Sequence, residues 1–142
     1  MIIEIITSEL DFFILEKIRE LRIKAGLDQV ALAQKLGVSE GYIGNIENPK
    51  HSAKANIRML ARIAHALELE SYIEFFPVRI MTNDMVRLKI ELFDLSSRSQ
   101  ILDKNGKVPE RLKEIEKTQI SIEEIEKLKL DGGYKYCTII QK

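Results

Sequence analysis

The sequence predicts a mainly α fold: five helices within residues 1–77, followed by a small α+β C-terminal region over residues 78–142. Three observations predict it. Apolar residues recur at helical spacing from Phe13 to Leu67, and small polar residues stand where those helices need caps. The clearest β-branched runs, Ile2 to Ile6 and Tyr134 to Ile140, lie at the two ends of the chain.

The first helix begins near Glu9 or Asp11 and ends at Gly26, offering Phe13, Ile14, Ile18, Leu21 and Ile23 to a core. Asp28 caps the second helix and leaves Gln29 exposed at its start; Val30, Leu32, Ala33 and Leu36 form its inner face. Gly37 follows, the residue expected where a helix ends in a left-handed conformation. Val38 returns to the core and Ser39 caps the third helix, on which Ile43 and Ile46 face inward. Residues 48–55, with Pro49, form an irregular loop before Asn56 caps the fourth helix, whose stripe is Ile57, Leu60, Ile63, Ala64 and Leu67. A short fifth helix runs from Ser71 to Phe76 and stops at Pro77, where we place the domain boundary.

Beyond Pro77 the pattern is more ambiguous. Val86, Leu88, Ile90 and Leu92 alternate as a strand does, while Met85, Leu88, Leu92 and Leu95 fit a helix; a cap at Asn83 or Asp84 and the Arg87–Glu91 spacing favour the helix. Asn105-Gly106 reads as a hairpin turn or as the end of a preceding helix. Pro109 to Lys117 is expected to be a charged helix, and Ser121-Ile122-Glu123-Glu124 is a capping box for another helix reaching about Leu130. Asp131-Gly132-Gly133 breaks it, and a strand follows over Tyr134 to Ile140. The two terminal β-rich runs are expected to pair, either within one chain or across two.

The central motif is Leu27-x-Gln29-x-x-Leu32-Ala33-x-x-Leu36-Gly37-Val38-Ser39-x-x-Tyr42-Ile43-x-x-Ile46-Glu47. Two short helices joined by one tight turn, with small Ala33 at their crossing, are how a helix is aimed at a major groove. These residues resemble the lambda-repressor-like helix-turn-helix family of XRE-type regulators. Ile18-Arg19-x-Leu21-Arg22 upstream and Leu60-x-x-Ile63-Ala64-x-Ala66-Leu67 downstream extend the resemblance to about residues 12–76. It implies a five-helix DNA-binding domain over residues 1–77, with its helix-turn-helix at residues 28–47. By matched positions it implies base-reading candidates Ser39, Glu40, Gly41, Gly44 and Asn45. Asn45 can pair with adenine and Glu40 can accept from cytosine. Gln29 matches the family's phosphate-binding glutamine at a helix start, and Tyr42, Lys50, His51, Lys54 and Arg58 complete the phosphate candidates.

The chain departs from the family in two places. Gly41 and Gly44 both lie on the recognition helix, each costing about 1 kcal/mol relative to alanine and leaving few side chains to read bases. Asn48-Pro49 replaces the usual exit, where a glycine commonly follows the acid. Glu47 reads as a structural acid paired within the domain.

Charge is balanced at 22 basic and 22 acidic residues, which excludes a polycation that coats nucleic acid but leaves specific binding open. Between Glu47 and Glu68 there is no acid, while Lys50, Lys54, Arg58 and Arg62 occur there with His51 and His65. The lone Cys137 fits a reducing cytoplasm and a structural role in a strand. Neither a signal peptide nor a membrane span is evident. No phosphate loop, metal cluster or nucleophile motif is present, so no catalytic or metal residue and no cofactor is expected. Three readings follow: a homodimeric, sequence-specific transcriptional repressor; the antitoxin of a toxin–antitoxin pair whose residues 78–142 bind a protein toxin; and a protein-interaction module that has lost DNA binding. Residues 78–142 are too few for a ligand-sensing domain with its own cavity, which makes dimerisation or partner binding their expected role.

Overall fold

The computed structural model describes residues 1–93 and 100–142. β1 (Ile2–Ser8) runs straight into α1 (Glu9–Lys24), because Ser8 is both the end of the strand and the cap of the helix, its Oγ accepting from the Asp11 N–H at 3.2 Å. α2 (Gln29–Leu36), α3 (Glu40–Glu47) and α4 (Ile57–Ala66) follow. Asp28, Ser39 and Asn56 each accept an N–H of the first turn, as the sequence predicts. Leu32, Ala33 and Leu36 of α2 close on Ile43 and Ile46 of α3, with Ile18, Leu60, Ile63 and Phe75 completing one core.

Among the residues expected in that core, two are largely exposed. Ile57 is 86% exposed and Val30 is 40% exposed, since each stands in the first turn of its helix, ahead of the residues that make contact. The expected fifth helix is a single 3-10 turn, Tyr72–Phe75, capped by Ser71 and Glu74 and anchored by the fully buried Phe75.

The mainly α expectation is overturned by a four-stranded antiparallel sheet in the order β3-β2-β1-β4. β2 (Met85–Leu92) and β3 (Leu112–Ile120) stand where helices were expected, while α5 (Ile122–Leu130) and β4 (Cys137–Gln141) follow the prediction. The fold is α+β, and its sheet is not C-terminal alone, because β1 is an inner strand paired with both β2 and β4. Ile3 lies opposite Ile90, Ile5 opposite Leu88 and Thr7 opposite Val86, which turns one buried face of each strand into a second core joined by Phe12 and Tyr136. The two-residue alternation in β2 therefore wins over the helical spacing of Met85, Leu88 and Leu92; Leu95, the last member of that helical stripe, lies outside the described residues. Arg87 does not use Glu91 but reaches Glu4 and Glu124, each at 3.4 Å. In β3 the charges of the expected helix serve across strands, Lys113 opposite Glu91 and Glu116 opposite Lys89. The two terminal runs pair with each other within one chain.

Candidate nucleic-acid interface

The turn between α2 and α3 is built as its residues dictate. Gly37 has φ 68°, and the Val38 N–H returns to the Ala33 carbonyl at 3.1 Å, so the helix closes on a left-handed residue that carries no Cβ penalty. Ser39 Oγ then accepts the Tyr42 N–H at 3.2 Å and starts α3. With Ile43 and Ile46 buried, the opposite face of α3 presents Glu40, Gly41 and Asn45 to solvent, and Gly44 half-buried. Ser39 is exposed at the same end.

Gln29, at the head of α2, lies across that face. Its Nε2 donates to Glu47 Oε1 at 3.3 Å, and its Oε1 is 3.5 Å from where a Cβ on Gly44 would be. That is ordinary contact, and nothing lies near a Cβ on Gly41. Packing among the described residues thus demands glycine at neither position.

Behind α3 a buried ion pair fixes its end. Arg22 donates to Glu47 through Nε at 2.7 Å and Nη2 at 2.9 Å, both side chains being almost wholly buried. Arg22 Nη1 also donates to the Leu27 carbonyl at 2.8 Å, which ties the loop ahead of α2 to the end of the recognition helix. A bidentate pair of this kind sets orientation as well as charge. Glu47 is a structural acid, as its position suggests.

Sequence reasoning missed the third member of this group. Arg111, just ahead of β3 and 7% exposed, donates to the Glu47 backbone carbonyl at 2.6 Å and pairs with Glu16. A cation against the last carbonyls of a helix is favoured by its dipole. No local signal marks Arg111, because its partners are 64 and 95 positions away.

The basic segment after α3 divides into two. Lys50, His51 and Arg58 are exposed, with the loop held by Asn48 Oδ1 accepting the Lys50 N–H at 2.9 Å. Lys54 is half-buried: its Nζ donates to the Tyr136 hydroxyl at 2.8 Å and stands 4.6 Å over that ring. Tyr42 packs partly buried against the helical core. The structure thus brings Gln29, Gly44, Asn45, Glu40 and Gly41 onto one face with Lys50 beside it, while Lys54 leans away toward the strand side.

Among the described residues no group of His, Cys, Asp and Glu is placed to hold a metal ion, and no helix is long and apolar enough to cross a membrane. Neither a curated protein nor a solved structure matches the chain. Residues 18–72 do match a family model, helix-turn-helix. That span begins on α1 with Ile18, includes the whole α2–turn–α3 unit and α4, and ends at the 3-10 turn. Residues 18–72 are thus matched as a helix-turn-helix domain of the lambda-repressor-like, XRE type.

Proposed function

We propose that the chain is a sequence-specific transcriptional repressor that binds duplex DNA as a homodimer in the cytoplasm. The observation that carries this reading is the exposed face of α3, where Glu40, Gly41 and Asn45 point outward from a helix locked behind by Arg22 and Glu47. Its side chains and bare backbone match what a major groove admits. Lys50, His51 and Arg58 extend the face in a stretch without acids, where phosphates of the same groove would run.

One such helix offers a small interface, and two-fold pairing doubles it. The sheet is where we place the pairing. Its β3 edge is studded with Lys113, Glu114, Glu116 and Lys117, whereas β4 carries no charge from Cys137 to Gln141 and leaves Ile139 and Ile140 half exposed. Charged edges resist strand addition and uncharged ones invite it. Repression follows from occupancy, since a dimer spanning two grooves covers DNA that polymerase needs.

Anisotropy titration of a labelled random duplex at rising salt tests the DNA-binding end. The expected result is measurable affinity at low salt, falling linearly in log affinity against log salt. No binding at low salt would mean that the domain serves protein contacts instead.

A further inference from the structure

A cleft of about 420 Å³ lies between the recognition helix and the end of the sheet. One wall is Gln29, Gly44 and Lys50; the other is Leu92 with Phe93, and Arg111 lies at the junction. The volume falls in the range of small-molecule sites. It belongs to neither half of the chain alone, which is why counting residues in the C-terminal half gives no hint of it.

The chemistry of the lining is specific. Leu92 and Phe93 give an apolar wall, Leu92 half-buried and Phe93 38% exposed. Among the described residues lining the cleft the one carboxylate is Glu47, which is held by Arg22 and also accepts from Gln29. Lys50 has no ion-pair partner among the described residues. A flat apolar body laid on Phe93, ending in one carboxylate on Lys50, answers both walls.

We propose that this cleft is an effector site for a small aromatic carboxylate, whose occupancy excludes DNA. The second half rests on the DNA-binding reading above: Gln29, Gly44 and Lys50 are shared between the cleft and the DNA-facing surface, so a carboxylate on Lys50 takes the cation a phosphate would use. The first half stands on the cleft itself.

The test uses the full chain with 2-naphthoate as probe, followed by fluorescence, and uncharged 2-naphthamide as control. Naphthoate is expected to saturate one site per chain. The amide should bind about ten-fold or more weakly, as loss of a charged hydrogen bond requires. Phe93→Ser should abolish probe binding while leaving duplex affinity unchanged, and saturating duplex should displace the probe from wild type. Absence of saturable binding, equal binding of the amide, or indifference to Phe93→Ser overturns the site. Naphthoate that stays bound under saturating duplex overturns the exclusion. A chain that binds naphthoate through Phe93 yet no duplex at low salt upholds the site and refutes the DNA-binding reading instead.

Discussion

Removing the carboxylate of Glu47 is the sharpest perturbation of the recognition helix. Glu47→Leu leaves the Arg22 guanidinium buried, with the Leu27 carbonyl and the Gln100 side chain, each at 2.8 Å, as its remaining acceptors. Both partners are at most 1% exposed, so neither can recover its hydration without opening the core. Breaking a buried pair from one side costs about 3–5 kcal/mol, which for a chain of this length lowers the melting temperature by roughly 10–20 °C. Arg22→Met, which strands the carboxylate, should cost a similar amount. The double variant Arg22→Met/Glu47→Leu fills the same space without charge and should be close to wild type, within about 2 kcal/mol. The assay is urea denaturation of all four proteins, read as a double-mutant cycle. A coupling of at least about 3 kcal/mol is expected. Two single variants that add to within about 0.5 kcal/mol would refute the pair as the determinant of α3 geometry.

Gly41→Ala should raise stability by about 1 kcal/mol, there being nothing near the new methyl, while weakening duplex binding; a variant that gains stability and keeps full affinity would show that close approach is not needed there. Lys50→Ala should reduce the salt slope of binding by about 0.9, whereas Lys54→Ala, which removes the cation bonded to the Tyr136 hydroxyl, should leave the slope alone. A slope that falls equally in both variants would show that Lys54 also acts on phosphate. Burial pushes the Glu9 carboxyl up, but hydrogen bonds from Asn83 and Lys117 more than offset it and hold the group below its ordinary range. Because the folded value is the lower one, its contribution is fully present above the unfolded pKa of about 4.3 and is lost as pH falls through the folded value. Glu9→Gln should therefore cost stability at pH 7 and progressively less below pH of about 4, as urea midpoints at the two pH values would report; an equal cost at both would contradict it.

The helix-turn-helix was legible because its information is local. Asp28, Gly37 and Ser39 fix their own backbone within three or four residues, and the inward positions of α2 and α3 repeat within eight. The sheet was not, because each of its strands is decided by a partner far away in the chain. Met85 to Leu92 carries both periods, and only the presence of β1 on one side and β3 on the other selects the strand. The charges of β3 fit i,i+3 helix spacing (Lys113 with Glu116, Glu114 with Lys117) as well as cross-strand pairing, and burial of Arg111 ahead of it leaves no trace in spacing. The interface residues were named from motif position; what the sequence could not show is that Lys54 turns to Tyr136, that Gln29 lies over Gly44, and that the sheet end forms a second wall beside them.

Selection of bound duplexes from a random pool tests the central claim most directly. The full chain should enrich a two-fold symmetric sequence with half-sites about 10 base pairs apart or a multiple of that spacing, and Asn45→Ala should relax one position in each half-site. A pool that emerges as random as it entered, or enrichment of a site that Asn45→Ala leaves unchanged at every position, would contradict the assignment of α3 as the reading helix.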